Sequence, residues 1–243
     1  MGDLMDRRAR KKAQTREQIR QTAQSLFAEH GFEAVTIADI ANRADVAVQT
    51  VFNHFATKEE LFFADRAEWV DAAAAAVRSR PQDVAPLAAL RHHLMGTVRC
   101  YLDGLKDADM RRMVLTLEAS PALIAYEREL HHESVRRLSE ALIEASPEGT
   151  SATTGAPPSM GLRSSAKLTA AVWLAAIHAL IIEQRGELTE AVGAEEAATA
   201  IVRLADQILA QFEATQSIVR CCPPTDARPP QTNGWPTGVG RAV

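Results

Sequence analysis

Apolar residues recur along this chain at intervals of three and four, the spacing that places them on one face of an α-helix. The pattern is sustained through most of the 243 residues. Aromatic residues, which are enriched in β-sheets, make up only 5% of the chain, whereas the helix formers Ala, Leu, Glu and Arg are abundant. Because 47% of the residues are hydrophobic, enough to build a packed core, the sequence predicts an all-α protein.

The N-terminal end is strongly basic, although the formal net charge of the whole chain is −4. Between Arg7 and Arg20, seven basic residues accompany a single acid, Glu17. Such a segment can neutralise nucleic-acid phosphates and release their counterions. A solvated tail is the alternative interpretation, because charge runs also occur on surfaces that bind nothing.

Two predicted helices follow the basic segment. The first spans residues 13–30 and ends at Gly31, where a left-handed C-terminal cap fits. The second opens at Thr36, with Asp39 at the capping-box position, and ends near residue 44. Both have apolar residues on one face, which predicts that they pack together.

A third short helix is expected after a turn at residues 44–46, and it runs to about residue 55. Its apolar residues are spaced to bury one face, and they are Val48, Val51, Phe52 and Phe55. Thr57 caps a fourth helix that is expected to continue to about Arg80. Two short helices joined by a tight turn have the size of a helix-turn-helix, although an ordinary helical hairpin has the same outline.

The remaining periodicity predicts five helices, over residues 85–105, 107–118, 121–145, 164–185 and 194–216. A segment rich in Ser, Thr, Pro and Gly predicts a mobile loop over residues 146–163. Five of the eleven prolines lie after residue 216, which predicts a disordered tail.

The most apolar stretch, Leu168 to Ile182, is shorter than the roughly 18 to 20 residues that span a bilayer, and it contains His178. We therefore expect a buried helix and no membrane association. The three cysteines form neither a disulfide framework nor a CxxC metal motif, and no apolar secretory segment follows the basic N-terminus. A cytoplasmic protein is expected.

A specific combination of short segments runs from Arg16 to Leu61. It comprises Gly31-Phe32, Thr36-Ile37-Ala38-Asp39-Ile40-Ala41, Val46, Phe52-Asn53-His54-Phe55 and Lys58-Glu59-Glu60-Leu61. In this combination the chain resembles the TetR (tetracycline repressor) family of transcriptional regulators, over about a fifth of its length. The resemblance implies an N-terminal helix-turn-helix DNA-binding domain followed by a larger helical domain that binds a small-molecule effector and forms a homodimer.

The resemblance also implies roles for residues on and around the third helix. Because the apolar set faces the core, the side that meets a major groove carries Gln49, Thr50 and Asn53, which we expect to read bases. Phosphate contacts are expected from Thr36, His54 and Lys58. Lys58 is the sharpest of these, because a cation in the first turn of a helix opposes the helix dipole unless an anion lies there. Solvated surface residues are the alternative interpretation for both sets.

Three positions depart from the family pattern. Asp45 lies where the turn usually contains Gly, Ala47 where a capping Ser often opens the third helix, and Phe52 where Tyr is frequent. Asp tolerates left-handed geometry, but Ala cannot cap a helix and Phe lacks the hydroxyl that donates to phosphate. These departures leave open a helical ligand-binding or adaptor protein that has lost DNA binding.

By the same resemblance, the last two helices form the dimer interface. The expected interface residues are Leu168, Val172, Ala175, Ala176 and Ala179 on one helix, and Ala197, Ile201, Leu204, Ile208 and Phe212 on the other. An effector pocket is expected among the middle helices, with the candidates Met95, Arg99, Tyr101, Met113, Tyr126, Trp173 and His178. Arg99 favours an anionic effector if it points inward. Packing within one chain is the alternative for both sets.

A small helical enzyme is the rival from another class, and it requires a nucleophile with a base, a metal set or a cofactor loop. The sequence contains no GxSxG, HExxH, GxGxxG or P-loop motif. The pairs His92-His93 and His131-His132 do not chelate a metal unaided, because adjacent helical residues point in different directions. We therefore expect no catalysis, metal or cofactor.

The expected organisation has four parts. They are a basic N-terminal arm over residues 1–15, a helix-turn-helix DNA-binding domain over 16–61, a helical effector-binding and dimerisation domain over 62–216, and a tail over 217–243. The expected partner is double-stranded DNA with a near-palindromic operator, because two symmetry-related heads enter successive major grooves. Release of a repressor by the effector is the expected mode of regulation.

Overall fold

A computed structural model describes residues 2–64, 67–146, 159–182 and 194–221. Every regular element in these ranges is helical, which confirms the all-α prediction. The helices are α1 (Gly2–His30), α2 (Ile37–Arg43), α3 (Val48–Phe52), α4 (Lys58–Phe62), α5 (Ala67–Arg78), α6 (Pro86–Gly104), α7 (Ala108–Glu118), α8 (Pro121–Glu144), α9 (Met160–Ile177) and α10 (Ala194–Cys221). A π-helical turn, His178–Ile182, continues α9.

The largest differences from the prediction concern α1 and the helix expected after Thr57. α1 begins at Gly2 instead of near residue 13, so the predicted basic arm is helical. Its sequence contains neither Gly nor Pro from residue 3 to residue 30 and is rich in strong helix formers, so the helix continues where the apolar pattern has ended. The single helix expected after Thr57 is two helices, because α4 ends at Phe62 and α5 begins at Ala67.

The predicted loop and tail fall largely outside the described residues. Of the loop, residues 147–158 are not described, and residues 160–163 form the first turn of α9. Of the tail, residues 222–243 are not described, whereas the backbone of α10 continues to Cys221.

A first hydrophobic cluster, the N-terminal core, lies among α1 to α4. Phe27, Phe32 and Phe62 form its aromatic centre, with ring centroids 5.2 to 5.8 Å apart. Leu117 from α7 and Leu123 from α8 are buried in the same cluster. The three short helices are therefore held against α1 by one shared core, and the next part of the chain packs directly on it.

A second cluster, the C-terminal core, lies among α5, α6, α8, α9 and α10. In this cluster α5 packs on α8, α8 on α9, and α6 on α10. Trp173 of α9 is fully buried at its centre, with Phe212 of α10 at a centroid distance of 6.0 Å. Met113 of α7 packs against both clusters, so α7 joins the two cores.

The helix formed by α9 and its π turn is 23 residues long, and its apolar 18-residue window has a mean hydropathy of 1.7. It is longer than the apolar stretch used for the prediction, and by length and composition alone it is able to cross a membrane. Its inner face, which includes Ala170, Trp173 and Ile177, is buried in the C-terminal core. The prediction of a helix packed in the protein core is met for this face.

Candidate nucleic-acid interface

The turn between α2 and α3 is tight and closed by backbone hydrogen bonds. Asp45 has a φ of 53°, in the left-handed region that an Asp tolerates, and the amide of Val46 donates to the carbonyl of Ala41 at 3.0 Å. Gln18 of α1 donates from Nε2 to the carbonyl of Ala44 at 2.9 Å, which fastens the turn to α1. The mutual geometry of α2 and α3 is therefore fixed without a glycine.

Thr36 caps α2, as the sequence predicts. The amide of Asp39 donates to Thr36 Oγ1 at 3.2 Å, and the amide of Thr36 donates to Asp39 Oδ2 at 2.9 Å. The Thr36 hydroxyl also donates to Asp39 Oδ2, at 2.6 Å. This hydrogen bond, followed by the one from the Thr36 amide, holds the pKa of the Asp39 carboxyl below its usual value. α3 has no such cap, because Ala47 stands at its N-cap position without a side-chain hydrogen bond.

The residues of α3 and of the turn after it form rows along the helix, and the two members of each row lie about one helical turn apart. Val51 and Phe55 are buried in the N-terminal core. On the opposite side Gln49 and Asn53 are exposed, and Gln49 donates from Nε2 to Asn53 Oδ1 at 3.2 Å. Thr50 is half-buried at the edge of this side. The two amide side chains are thus held parallel on the outermost face of the helix.

The prediction that Val48 and Phe52 are buried is wrong. Their side chains are 42% and 44% exposed. They form the row between the buried row and the amide row, and the helices around the N-terminal core do not extend far enough to cover it.

His54 lies beside cationic residues of α1. Arg16 donates to the backbone carbonyl of His54, and its guanidinium lies 4.0 Å from the centroid of the Phe55 ring. Burial, followed by the charges of Lys12 and Arg16, lowers the pKa of the His54 imidazole. His54 Nδ1 is enclosed and has no hydrogen-bond partner among the described residues. The sequence places Arg16 in the basic segment but does not reveal its contact with His54, because the two residues lie 38 positions apart along the chain.

Lys58 has an intramolecular set of partners. Its Nζ donates to the carbonyls of Phe32 at 2.9 Å and Val35 at 3.1 Å, and it lies 4.1 Å from the centroid of the Phe32 ring. These acceptors explain how a cation is accommodated in the first turn of α4 without an anionic ligand. The phosphate contact expected of Lys58 stays a prediction, and one of the three ammonium protons remains for it.

The first turns of α1 extend the positive charge beyond the N-terminal core. Five basic residues are exposed there, and they are Arg7, Arg8, Arg10, Lys11 and Lys12. The effect of Lys12 on the pKa of His54 shows that this end of α1 runs past α3. An exposed amide row beside a strongly cationic helix matches the surface of a polyanion that also presents hydrogen-bonding groups.

Residues 19–64 match a family model described as bacterial regulatory proteins, tetR family. A 146-residue region, 58% of this chain, is 34% identical to the HTH-type transcriptional regulator TcmR of Streptomyces glaucescens. Residues 19–64 of this chain are therefore similar to the tetR family of regulators. The aligned region spans 64% of TcmR, slightly less than two thirds of that protein.

Two other comparisons are more limited in extent or identity. A 57-residue region, 24% of the chain, is 39% identical to 28% of the HTH-type transcriptional repressor KstR2 of Mycobacterium tuberculosis. The solved structure of Salmonella enterica GusR covers 82% of this chain and 94% of its own, with 20% identity and a TM-score of 0.46.

The candidate pocket residues do not form one group in the structure. Met95 and Trp173 are buried in the C-terminal core, and Tyr101 and Met113 pack against it. Tyr126 instead stacks on Phe63 of the N-terminal core, at 5.6 Å between ring centroids. Arg99 is exposed, so the condition for its use as an inward anion ligand is not met. His178 contacts His131 across α8 and α9, at 5.0 Å between centroids, a pairing that helical periodicity did not reveal.

The predicted dimer residues also divide into two groups. Leu168, Val172, Ala175 and Ala179 are exposed at helical spacing on α9, and Ala176 is half-buried beside them. On α10, Leu204 is exposed and Ala197 half-buried, whereas Ile201 is buried in the C-terminal core and Ile208 and Phe212 pack against it. In α10 the inner residues of the predicted seam thus serve the core of their own chain.

Among the described residues, no group of three or more His, Cys, Asp and Glu side chains is arranged to hold a metal ion. One buried polar side chain, Ser120, has a structural role. It caps α8 and donates its hydroxyl to the carboxylate of Glu33, which links α8 to the loop after α1.

Proposed function

We propose that this protein is a homodimeric DNA-binding transcriptional regulator that enters the major groove with α3. The observation that carries the proposal is the exposed Gln49–Asn53 row, held by its mutual hydrogen bond on the face of α3 opposite the core. Amide side chains can make paired hydrogen bonds to N6 and N7 of adenine, and Thr50 at the edge adds a methyl group. The helix-turn-helix occupies residues 16–61 in this proposal.

Phosphate binding belongs to the residues that surround α3. Lys12 and Arg16 extend the positive surface along α1, and Thr36 lies at the exposed start of α2. His54 lies between α3 and these cations, where a phosphate would offset their mutual repulsion. Residues 1–15, as a helical arm, follow the DNA backbone beyond the helix-turn-helix.

The experiment is a selection of bound genomic fragments followed by affinity measurements over a range of salt concentrations. Specific binding should weaken steeply with salt, and Lys12→Ala should reduce the slope of log K against log salt by about 1. Asn53→Ala should relax base preference at one position and leave the slope unchanged. Lys106→Ala is the matched control, because Lys106 is exposed between α6 and α7, outside the helix-turn-helix, and pairs with Asp103.

Failure to select any sequence above the non-specific level contradicts the proposal. An unchanged consensus with Asn53→Ala contradicts only the assignment of that residue. The operator is expected to be a near-palindrome, because the two recognition helices of a symmetric dimer meet half-sites about one helical turn apart.

For the effector domain, residues 62–216, we propose that a small molecule acts at the C-terminal core and releases the repressor. Supporting this, Leu117 and Leu123 are inserted into the N-terminal core, so that a shift of α7 or α8 moves the DNA-binding helices. A ligand changes the DNA-competent population only by its differential affinity for the two shapes. We propose a cytoplasmic location as well, because the proposed DNA partner lies there.

A further inference from the structure

Val48 and Phe52 form an apolar row on the outer surface of α3. They lie one helical turn apart on the same side of the helix, and they are 42% and 44% exposed. The Gln49–Asn53 row lies directly beside them, one residue further along each turn. Exposure of two neighbouring apolar side chains to water is unfavourable, and a binding partner that covers them removes this cost.

We propose that Val48 and Phe52 read the C5-methyl groups of thymines in the operator. The inference rests on the proposed function, because it requires α3 to lie in the major groove. There the amide row and the apolar row face the groove floor together, since neighbouring rows of a helix diverge by only about a third of a turn. The thymine methyl is the one apolar group that base edges present in the major groove, and apolar side chains recognise it by contact.

The surroundings of the row favour DNA over a protein partner. The row is continuous with the amide face, and the cations of α1 reach the other end of the same helix at His54. DNA satisfies all three surfaces at once, because it supplies phosphates, polar base edges and methyl groups within one groove.

The inference assigns a specificity role that the amide row cannot supply. Gln49 and Asn53 recognise hydrogen-bonding groups, whereas Val48 and Phe52 distinguish thymine from cytosine at neighbouring positions by a methyl group. A half-site read in this way contains adenines contacted by the amides, with adjacent thymines contacted by the apolar row. The structure therefore points to an operator whose half-sites are rich in A·T pairs beneath α3.

The test replaces single thymines by deoxyuridine in the operator obtained from the genomic selection. This change removes only the C5-methyl and retains every hydrogen-bonding group. At one or two positions in each half-site, we expect the affinity of the wild-type protein to fall about three- to fivefold, the effect of removing one methyl-sized apolar contact. Positions outside the α3 footprint should show no change.

Two variants connect the methyl groups to the protein. Val48→Ala should bind the natural operator more weakly and lose its discrimination between thymine and deoxyuridine at one position, and Phe52→Ala should do so at another. Leu115→Ala is the matched control, because Leu115 is 47% exposed on α7, away from α3. It should retain the full response to deoxyuridine.

Equal affinity for the thymine and deoxyuridine operators overturns the inference and leaves the proposed function standing. The same holds if Val48→Ala and Phe52→Ala both keep the full deoxyuridine effect. If the selection yields no operator at all, the proposed function fails, and this inference fails with it.

Discussion

Lys58 has a structural role that the sequence pattern does not separate from its predicted contact with DNA phosphate. A cation at the start of α4 opposes the helix dipole, yet its ammonium is stabilised by the carbonyls of Phe32 and Val35 and by the Phe32 ring. Lys58 therefore stabilises the fold even when no DNA is bound.

Replacement of Lys58 by Met should lower the free energy of unfolding by about 1 to 3 kcal/mol, because it leaves two part-buried carbonyls without their donor. Urea denaturation without DNA measures this effect. Lys106→Met, at an exposed ion pair, should change stability by less than about 0.5 kcal/mol. Unchanged stability of Lys58→Met together with weakened DNA binding would mean that Lys58 serves the phosphate alone.

We expect His54 to make DNA binding dependent on pH. Its pKa in the free protein lies below the ordinary value because of burial, Lys12 and Arg16, so the imidazole is neutral near pH 7. A phosphate beside it raises the pKa, so binding takes up a proton and affinity rises as pH falls through the interval between the two pKa values. A rise of one pKa unit on binding corresponds to about tenfold tighter binding below that interval.

The measurement is the DNA affinity by fluorescence anisotropy, at constant ionic strength and at a series of pH values from about 7.5 downward. The series includes pH values on both sides of the usual imidazole pKa of about 6.5. His54→Gln should flatten the dependence. His92→Gln, at an exposed position on α6, should leave it as in the wild type. A wild-type affinity that does not change with pH would exclude a phosphate at His54.

At the scale of elements, α2 and α3 differ in how their N-termini are satisfied. α2 has a complete capping box from Thr36 and Asp39, whereas α3 begins at Ala47, whose backbone has the extended conformation of an N-cap but whose side chain accepts no hydrogen bond. A short helix with free amides at its start is weakly stabilised by itself. α3 consequently depends on Val51 and Phe55 in the core for its position.

Ala47→Ser should raise the free energy of unfolding by about 1 kcal/mol, because a serine at this position accepts a hydrogen bond from a free amide of the first turn. Thr36→Ala is the reciprocal change and should lower it by a similar amount. Thermal or urea denaturation of both variants gives the comparison. No gain with Ala47→Ser would indicate that the first turn of α3 is already satisfied by solvent.

At the scale of the whole molecule, the exposed side of α9 lacks a partner within the described part of the chain. Leu168 is 66% exposed and Val172 39%, and Ala175 and Ala179 continue the same face. Because alanines permit the close approach of helices, this face suits the proposed interface with a second copy. α10 contributes less than the sequence predicts, since Ile201 lies in the core of its own chain.

Leu168→Glu should convert the dimer to a monomer while the fold is retained, because this side chain makes little contact within its own chain. Two symmetry-related carboxylates would be buried in the interface, which should raise the dimer dissociation constant by at least about 100-fold. Sedimentation at micromolar concentration measures it. Leu115→Glu, at an exposed leucine on α7, should remain dimeric, and a dimeric Leu168→Glu would place the interface elsewhere.

The sequence by itself determined the features that depend on neighbours along the chain. Helical spacing specified the all-α fold and the burial of Val51 and Phe55, and the spacing of Thr36 and Asp39 specified the cap of α2. The helix propensity of residues 3–12 is also consistent with the extension of α1 to Gly2, although apolar periodicity alone did not predict it. These features follow from bonds and contacts within about one turn of helix.

The tertiary structure decided which faces are covered and which charges meet. Periodicity places Val48 and Phe52 next to the buried row of α3, but only the reach of the neighbouring helices determines that they stay exposed. The contacts of Lys58 with Phe32 and of Arg16 with His54 join residues 26 and 38 positions apart. Such contacts depend on how the helices pack against one another, which no local sequence pattern specifies. Which residues form the surface around α3 is therefore known only from the folded chain.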